Sequence, residues 1–335
     1  MNKRSVFTAF CLMTFLSACP TKHERIIMTV NGPIPAREMG ATLVHEHILV
    51  DFIGADSITE QRWDKSKVAE IVFPYLRKVK KLGCQTFIEC TPAYLGRDPL
   101  LLRSISESSG LNILTNTGYY GAINNKYIPW YAFNETIEQI ASRWTEEWEH
   151  GIEGTGIKPG FIKIGVASGN LSDLHKKLVK AAALTHLKTG LTIASHTGPA
   201  TPAFEELKIL QNEGVAPEAF IWVHAQVEKD LSTHIKAAMM GAWISLDGIN
   251  DDNLEDYVLM LKKMKENNLL NKVILSHDAG WYHPGEENGG EYRGYTTLFE
   301  KLLPLLRKEK FSEKEINQLL VSNPAKAFTI RVRGI

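Results

Sequence analysis

Cysteine is scarce, charge is balanced, and no apolar run is long enough to span a bilayer. The 335 residues include only 4 cysteines, which excludes a disulfide framework as the source of stability. Lysine plus arginine number 38 and aspartate plus glutamate 38, giving zero formal net charge. There are no dense basic runs, so the electrostatic footprint of a nucleic-acid binder is missing. The apolar stretch from Val6 to Leu16 is too short to cross about 30 Å of hydrocarbon. No glycine-rich dinucleotide fingerprint follows an early strand, and no internal repeat or low-complexity tract is visible. What remains is an ordinary globular chain, 44% hydrophobic, long enough for one sizeable core and suited to a small-molecule substrate.

The first residues stand apart. Lys3 and Arg4, the apolar stretch after them, and small Ser17 and Ala18 before Cys19 have the layout of a secretory signal. Leu16-Ser17-Ala18-Cys19 resembles the lipobox of bacterial lipoproteins, which implies lipidation of Cys19 and a membrane anchor in the cell envelope, facing the periplasm or the surface. Ordinary secretion is the alternative. Residues 1–18 are then the signal, 19–36 the lipidated cysteine and its tether, and 37–335 a single domain. Cys84 and Cys90 share the strand-like run CQTFIEC. In an extended chain they lie about 20 Å apart, beyond disulfide reach, so both are expected to be free and buried.

The body alternates strands and helices. Apolar runs fall near 41–45, 86–90, 111–116, 160–166, 191–195, 219–224, 242–246 and 272–276. Helical spacing lies between most of them, as in Val68 to Leu82, Ile137 to Trp148, Leu174 to Leu187 and Leu254 to Met264. Such βαβ units predict a (β/α)8 TIM barrel, closed by helices around 296–308 and 312–320; a doubly wound open sheet is the alternative.

Metal-ligand residue types stand at the ends of these runs: His45 and His47 in ATLVHEH, Lys163 in GFIKIG, His196 in LTIASH, His224 in AFIWVH and Asp278 in VILSHD. Strand residues two apart share a face, so His45 and His47 can reach one ion while Glu46 turns away. A barrel would gather all six at one mouth, a pattern that points to a metal-dependent hydrolase. Lysine has no lone pair while protonated and cannot ligate as it stands, although a buried amine can lose its proton. His175, His186 and His234 fall within helical stretches and are expected to be structural or solvated; His23, His150 and His283 have no strand to place them.

In this order and at these strand ends, the six residues resemble the phosphotriesterase-like family of the amidohydrolase superfamily. GATLVHEHILVDF, GRDP at 96–99, GIEGTGIKPGFIKIG at 151–165 and NPAKAF from Asn323 extend the likeness over the whole domain. The resemblance implies two divalent metal ions, with zinc foremost and manganese, cobalt or iron as alternatives. It implies that CO2 carboxylates Lys163, whose carbamate bridges both ions. His45, His47 and Asp278 would hold the more buried ion, and His196 and His224 the more exposed one. A hydroxide shared by the ions would be the nucleophile. Asp278 would either accept and pass on its proton or serve as a ligand alone. Relatives also pair barrels through their loops, so a homodimer is a further expectation.

Tyr120 matches the tyrosine that faces the exposed metal in the lactonase branch, where it could orient a carbonyl or donate to the leaving oxygen; packing at the mouth is its other reading. Gly248 stands where those lactonases carry an arginine. Ala225-Gln226-Val227 lacks the acidic residue of the phosphotriesterase proton relay. The predicted loops carry Trp63, Tyr94, Tyr119, Tyr127, Trp130, Trp281, Tyr282 and Tyr292 beside Asp247, Asp251, Glu286 and Glu287, a mixture suited to an uncharged ring or hydroxylated ligand. Lys126 and Arg293 are the basic exceptions that could hold a phosphorylated sugar lactone. The expected activity is hydrolysis of a lactone or related carboxylic ester. Phosphotriester and amide hydrolysis at the same site are alternatives, and a non-catalytic ligand-binding surface lipoprotein is the alternative of another class.

Overall fold

The computed structural model describes residues 25–335, so the signal and the lipidation site at Cys19 lie outside the described residues. The chain enters through an antiparallel hairpin, β1 (Ile26–Thr29) and β2 (Gly32–Pro35), paired from Ile26 with Pro35 to Thr29 with Gly32. Ile27 is fully buried against the barrel interior. The tether expected to run through residue 36 is therefore corrected: from Ile26 onward the chain is folded, because Ile27 plugs the barrel floor.

The barrel staves follow as β3 (Thr42–Glu46), β4 (Thr86–Glu89), β5 (Asn112–Leu114) with β6 (Asn116–Thr117), β7 (Phe161–Gly165), β8 (Ile193–His196), β9 (Phe220–Val223), β10 (Trp243–Leu246) and β11 (Val273–Leu275). All neighbours among them pair in parallel, in the order β3-β4-β5 and then β6 through β11. Thr115 divides β5 from β6, and its carbonyl accepts from Gly160 N at 2.7 Å, so the two pieces make one stave of eight. The ring closes where His47 N donates to Ala279 O at 2.9 Å and Asp278 N donates to His45 O at 3.0 Å. The TIM-barrel expectation holds.

Strand alternation sorts the apolar residues into two cores. Val44, Ile88, Leu114, Phe161, Ala194, Ile221, Trp243 and Ile274 fill the barrel. Leu43, Phe87, Ile113, Ile162, Ile193, Phe220, Ile244 and Val273 face the helices. Those helices are α1 (Lys65–Lys81), α2 (Pro99–Ser109), α3 (Ile137–His150), α4 (Asp173–Thr189), α5 (Ala200–Asn212), α6 (Leu231–Met240) and α7 (Leu254–Glu266), followed by the short α8 (Leu303–Lys308), α9 (Glu313–Asn317) and α10 (Asn323–Phe328). In α1, Val68, Val72, Leu76 and Val79 recur at helical spacing and are buried, and Asp64 caps the helix by accepting from Ser66 N and Lys67 N. Each such cap contributes about 1 kcal/mol.

The last residues return to the floor. Ile330 N donates to Ile26 O at 3.0 Å. The buried Arg333 guanidinium donates to the carbonyls of Lys326, Ala327 and Thr329 at 2.9–3.1 Å, capping the end of α10. Arg333 N donates to His186 Nε2 at 2.9 Å, while His175 and His234 bond the carbonyls of Gly121 and Ala225, so all three helical histidines are structural. Cys84 and Cys90 are free and buried, as expected. No helix among the described residues is long and apolar enough to cross a membrane.

Candidate metal centre

At the C-terminal ends of the staves, His45, His47, Lys163, His196, His224 and Asp278 line one cavity of about 330 Å³. Strict alternation does not by itself deliver both His45, within β3, and His47, just past its end. A register shift between Leu43 and Glu46 inserts a bulge, which leaves Val44 in the barrel core while His45 and His47 both reach the cavity. Two further strand ends turn sharply: His224 and Asp278 adopt left-handed backbone at φ 60° and 54°. Histidine and aspartate tolerate that region better than most residues, and such conformations concentrate at functional sites.

The imidazoles converge on Asp278. His47 Nε2 lies 3.0 Å and His45 Nε2 3.7 Å from its Oδ1, and His224 Nε2 lies 4.0 Å from its Oδ2. Potential donor atoms of His45, His224 and Asp278 all lie within 4.8 Å of one another. His196 joins through ring contact with His224, centroids 4.4 Å apart. Burial, then Lys163, pushes the His45 imidazole down to about 4, and burial, then His224, holds His196 well below the usual histidine range. Neutral imidazole is the form that ligates. Burial opposes ionisation of Asp278, but His45 and His47 beside it hold its carboxyl below the usual range.

Lys163 is 2% exposed, and its Nζ has no hydrogen-bond partner among the described residues. An unmatched amine in a barrel interior is costly. Tyr120 reaches across the cavity: its hydroxyl lies 3.2 Å from His196 Nε2. Its ring rests on Gly165, where a Cβ would come within 2.6 Å of it, so only glycine admits the ring here.

Several important residues escape sequence reading. Asp247, taken from sequence as a mouth carboxylate, is fully buried beneath the cavity, where His45 Nδ1 and His224 Nδ1 approach it at 3.0 and 2.8 Å. His47 Nδ1 lies 2.7 Å from Thr91 Oγ1, which donates to Glu89 at 2.5 Å. These contacts leave Nε2 of each ring facing Asp278. The one available signal for Asp247 is that it ends an apolar strand just as the six predicted residues do. Glu46 does turn away, accepting from Ser276 Oγ, His277 N and Ala279 N at 2.7–3.0 Å.

The expected aromatic mouth is largely otherwise employed. Of those eight aromatics, only Trp281 lines the cavity, joined by Val50, Phe52, Leu95 and Ile123. The hydroxyls of Tyr94 and Tyr119 bond to Tyr131, and Trp63 Nε1 donates to Asp98 at 2.9 Å. Lys126 Nζ donates to Phe52 O at 2.6 Å, and Arg293 donates to Asp278 O while its guanidinium sits 4.6 Å over Trp281.

Behind β8, the fully buried Glu206 of α5 accepts from Ser195 Oγ at 2.5 Å and Thr197 Oγ1 at 2.7 Å. Burial pushes its carboxyl up to about 8. The folded chain then binds more protons than the unfolded chain between pH about 4.5 and about 8. Stability from this group is complete at acid pH and is lost, at up to about 1.4 kcal/mol per pH unit, as pH rises through that window. Glu206→Gln is expected to flatten the fall; a melting-temperature series from pH 5 to 9 that declines equally in both proteins would contradict it.

A family model described as Phosphotriesterase family matches residues 26–328. The chain is 30% identical over 293 residues to the phosphotriesterase homology protein of Escherichia coli K12, covering 86% of this chain and 98% of that one. It is 26% identical to an aryldialkylphosphatase of Saccharolobus solfataricus, covering 91% and 100%. A solved structure from work on engineering organophosphate hydrolysis from a weak promiscuous lactonase template superposes with a TM-score of 0.82 at 25% identity, covering 90% and 99%.

Proposed function

The chain belongs to the phosphotriesterase family and is a metal-dependent hydrolase, and from that premise we propose that it opens an uncharged lactone or related carboxylic ester. The donor set fits a pair of divalent cations: four imidazoles, of which those of His45, His47 and His224 have Nδ1 engaged by Asp247 or Thr91, one carboxylate held low, and the orphaned amine of Lys163, which a carbamate formed with CO2 would satisfy. His45, His47 and Asp278 would hold one ion, His196 and His224 the other, with carboxylated Lys163 joining them. When bound, the ions polarise a carbonyl and activate water near neutral pH.

The chain's own residues do the rest. Asp278, at the centre of the three Nε2 atoms, accepts a proton and returns it to the leaving oxygen. The Tyr120 hydroxyl orients the carbonyl or donates to that oxygen. Val50, Phe52, Leu95, Ile123 and Trp281 exclude water and receive an apolar substituent.

The observation carrying the substrate class is this wall: apart from the histidines, Lys163 is the one basic side chain among the described residues lining the cavity, while Lys126 and Arg293 are engaged with backbone carbonyls. A phosphate substituent held away from the ions would meet no cationic side chain. Acid release should therefore be fastest with alkyl-substituted lactones and slow with their phosphorylated counterparts. Each added methylene should raise kcat/KM by up to about fourfold, from about 0.8 kcal/mol of burial. Faster turnover of a phosphotriester or an N-acyl amide would overturn the substrate class and leave the metal centre standing. An envelope location through lipid on Cys19 belongs to the same proposal and is tested by mass spectrometry of the mature N-terminus.

A further inference from the structure

Two histidines expected to serve different ions share a single outer partner. Asp247 Oδ2 lies 3.0 Å from His45 Nδ1, and Asp247 Oδ1 lies 2.8 Å from His224 Nδ1. An ionised carboxylate only accepts, so both rings carry their proton on Nδ1 and present the lone pair at Nε2 toward Asp278. The carboxylate is itself held at every side. Ser245 Oγ donates to Oδ2 at 2.6 Å, Gln226 Nε2 to Oδ1 at 3.3 Å, and His224 N to Oδ1 at 3.1 Å and Oδ2 at 3.3 Å. Gln226 cannot flip its amide, because its Oε1 accepts from Asp247 N at 3.2 Å.

We propose that Asp247 is a positioning residue that yokes the two halves of the metal centre, fixing the ligating tautomer of one histidine in each. This rests on the binuclear reading given above. It makes an asymmetric prediction for Asp247→Asn, which keeps shape and removes one acceptor. The amide oxygen must take the Oδ1 place, where His224 N and the immobile Gln226 amide both donate. The NH2 group then falls at Oδ2, where the Ser245 hydroxyl can rotate to accept it. His224 keeps its acceptor and its tautomer. His45 meets a donor, moves its proton to Nε2 and loses the lone pair that faces the cavity.

The test uses the full-length chain labelled with 15N-histidine, stripped of metal and held near pH 9 so that neutral rings dominate. Two-bond 1H–15N spectra report each tautomer. In the wild type, His45 and His224 should both be protonated on Nδ1; either ring protonated on Nε2 overturns the proposal even if the variant fails to fold. In Asp247→Asn, His45 alone should switch. Stepwise zinc titration followed by calorimetry should then show one ion weakened roughly 10–100-fold and the other little changed, while Asp247→Ala weakens both. His45 remaining on Nδ1, or both ions weakening alike in Asp247→Asn, would sink the yoke. A wild type that binds one ion only would instead refute the binuclear reading, and the tautomer spectra stand apart from it.

Discussion

Lys163→Ala is expected to cut turnover by about a thousandfold or more and to lower metal content at both positions. The magnitude follows from the several kcal/mol that metal ions contribute to such reactions. The residue sits in β7 with an amine that no neighbour satisfies, among the imidazoles it is expected to connect. A short carboxylic acid supplied in solution should occupy the space left by the truncated side chain and restore part of both metal content and activity. Full activity without added acid would refute the bridging role. Lys163→Met separates function from stability. It removes an unpartnered polar group from the barrel interior while nearly keeping the volume, so the metal-free variant should melt at least about 2 °C higher although it is inactive. An unchanged or lower melting temperature would mean that the amine is satisfied in some other way.

Asp278→Asn is the second large effect. The amide keeps the size of the side chain and its place between His45, His47 and His224, but it cannot take up a proton. Loss of a positioned acid–base group costs about 10²–10⁴-fold in kcat. Some metal should remain, since the amide oxygen still ligates weakly. The pH profile separates the two readings of this residue. If Asp278 moves protons, the acid limb of kcat in the wild type reports a carboxylate held low by its histidine neighbours, and that limb disappears in the variant. If Asp278 only ligates, raising the metal concentration restores most of the rate and the acid limb, set by another group, is the same in both proteins.

Much of this architecture is legible in the sequence because it rests on local periodicity. Each of the eight apolar runs became a stave within two or three residues of its predicted place, and the helical spacing of Val68 to Leu82 became α1. The six candidate ligands were legible because chemistry-bearing residues at the ends of apolar strands have one face to occupy in a closed barrel. What was not legible depends on partners distant in the chain. Nothing near Tyr94 or Tyr119 reveals that their hydroxyls meet Tyr131. The bulge that admits both His45 and His47 arises from the pairing of β3 with β4. Asp247 reads as a mouth carboxylate until His45, contributed by the first stave, is seen to lie against it. The hairpin at Ile26–Pro35 reads as a tether because its burial depends on a floor built by every other strand.

That floor also dictates an order of events during synthesis. The first strand of the described chain meets Ile330, and the first stave, β3, has its closing hydrogen bonds with residues 278–279. A nascent barrel therefore emerges as an open sheet with two bare edges, and the cluster of His45, His47 and Asp278 cannot assemble until the last stave, β11, and the residues just after it have left the ribosome. Open strand edges invite wrong pairing. A chain that stops short of Arg333 lacks the latch on the floor, and one that stops short of Asp278 lacks both the seam and the carboxylate on which the imidazoles of His45, His47 and His224 converge.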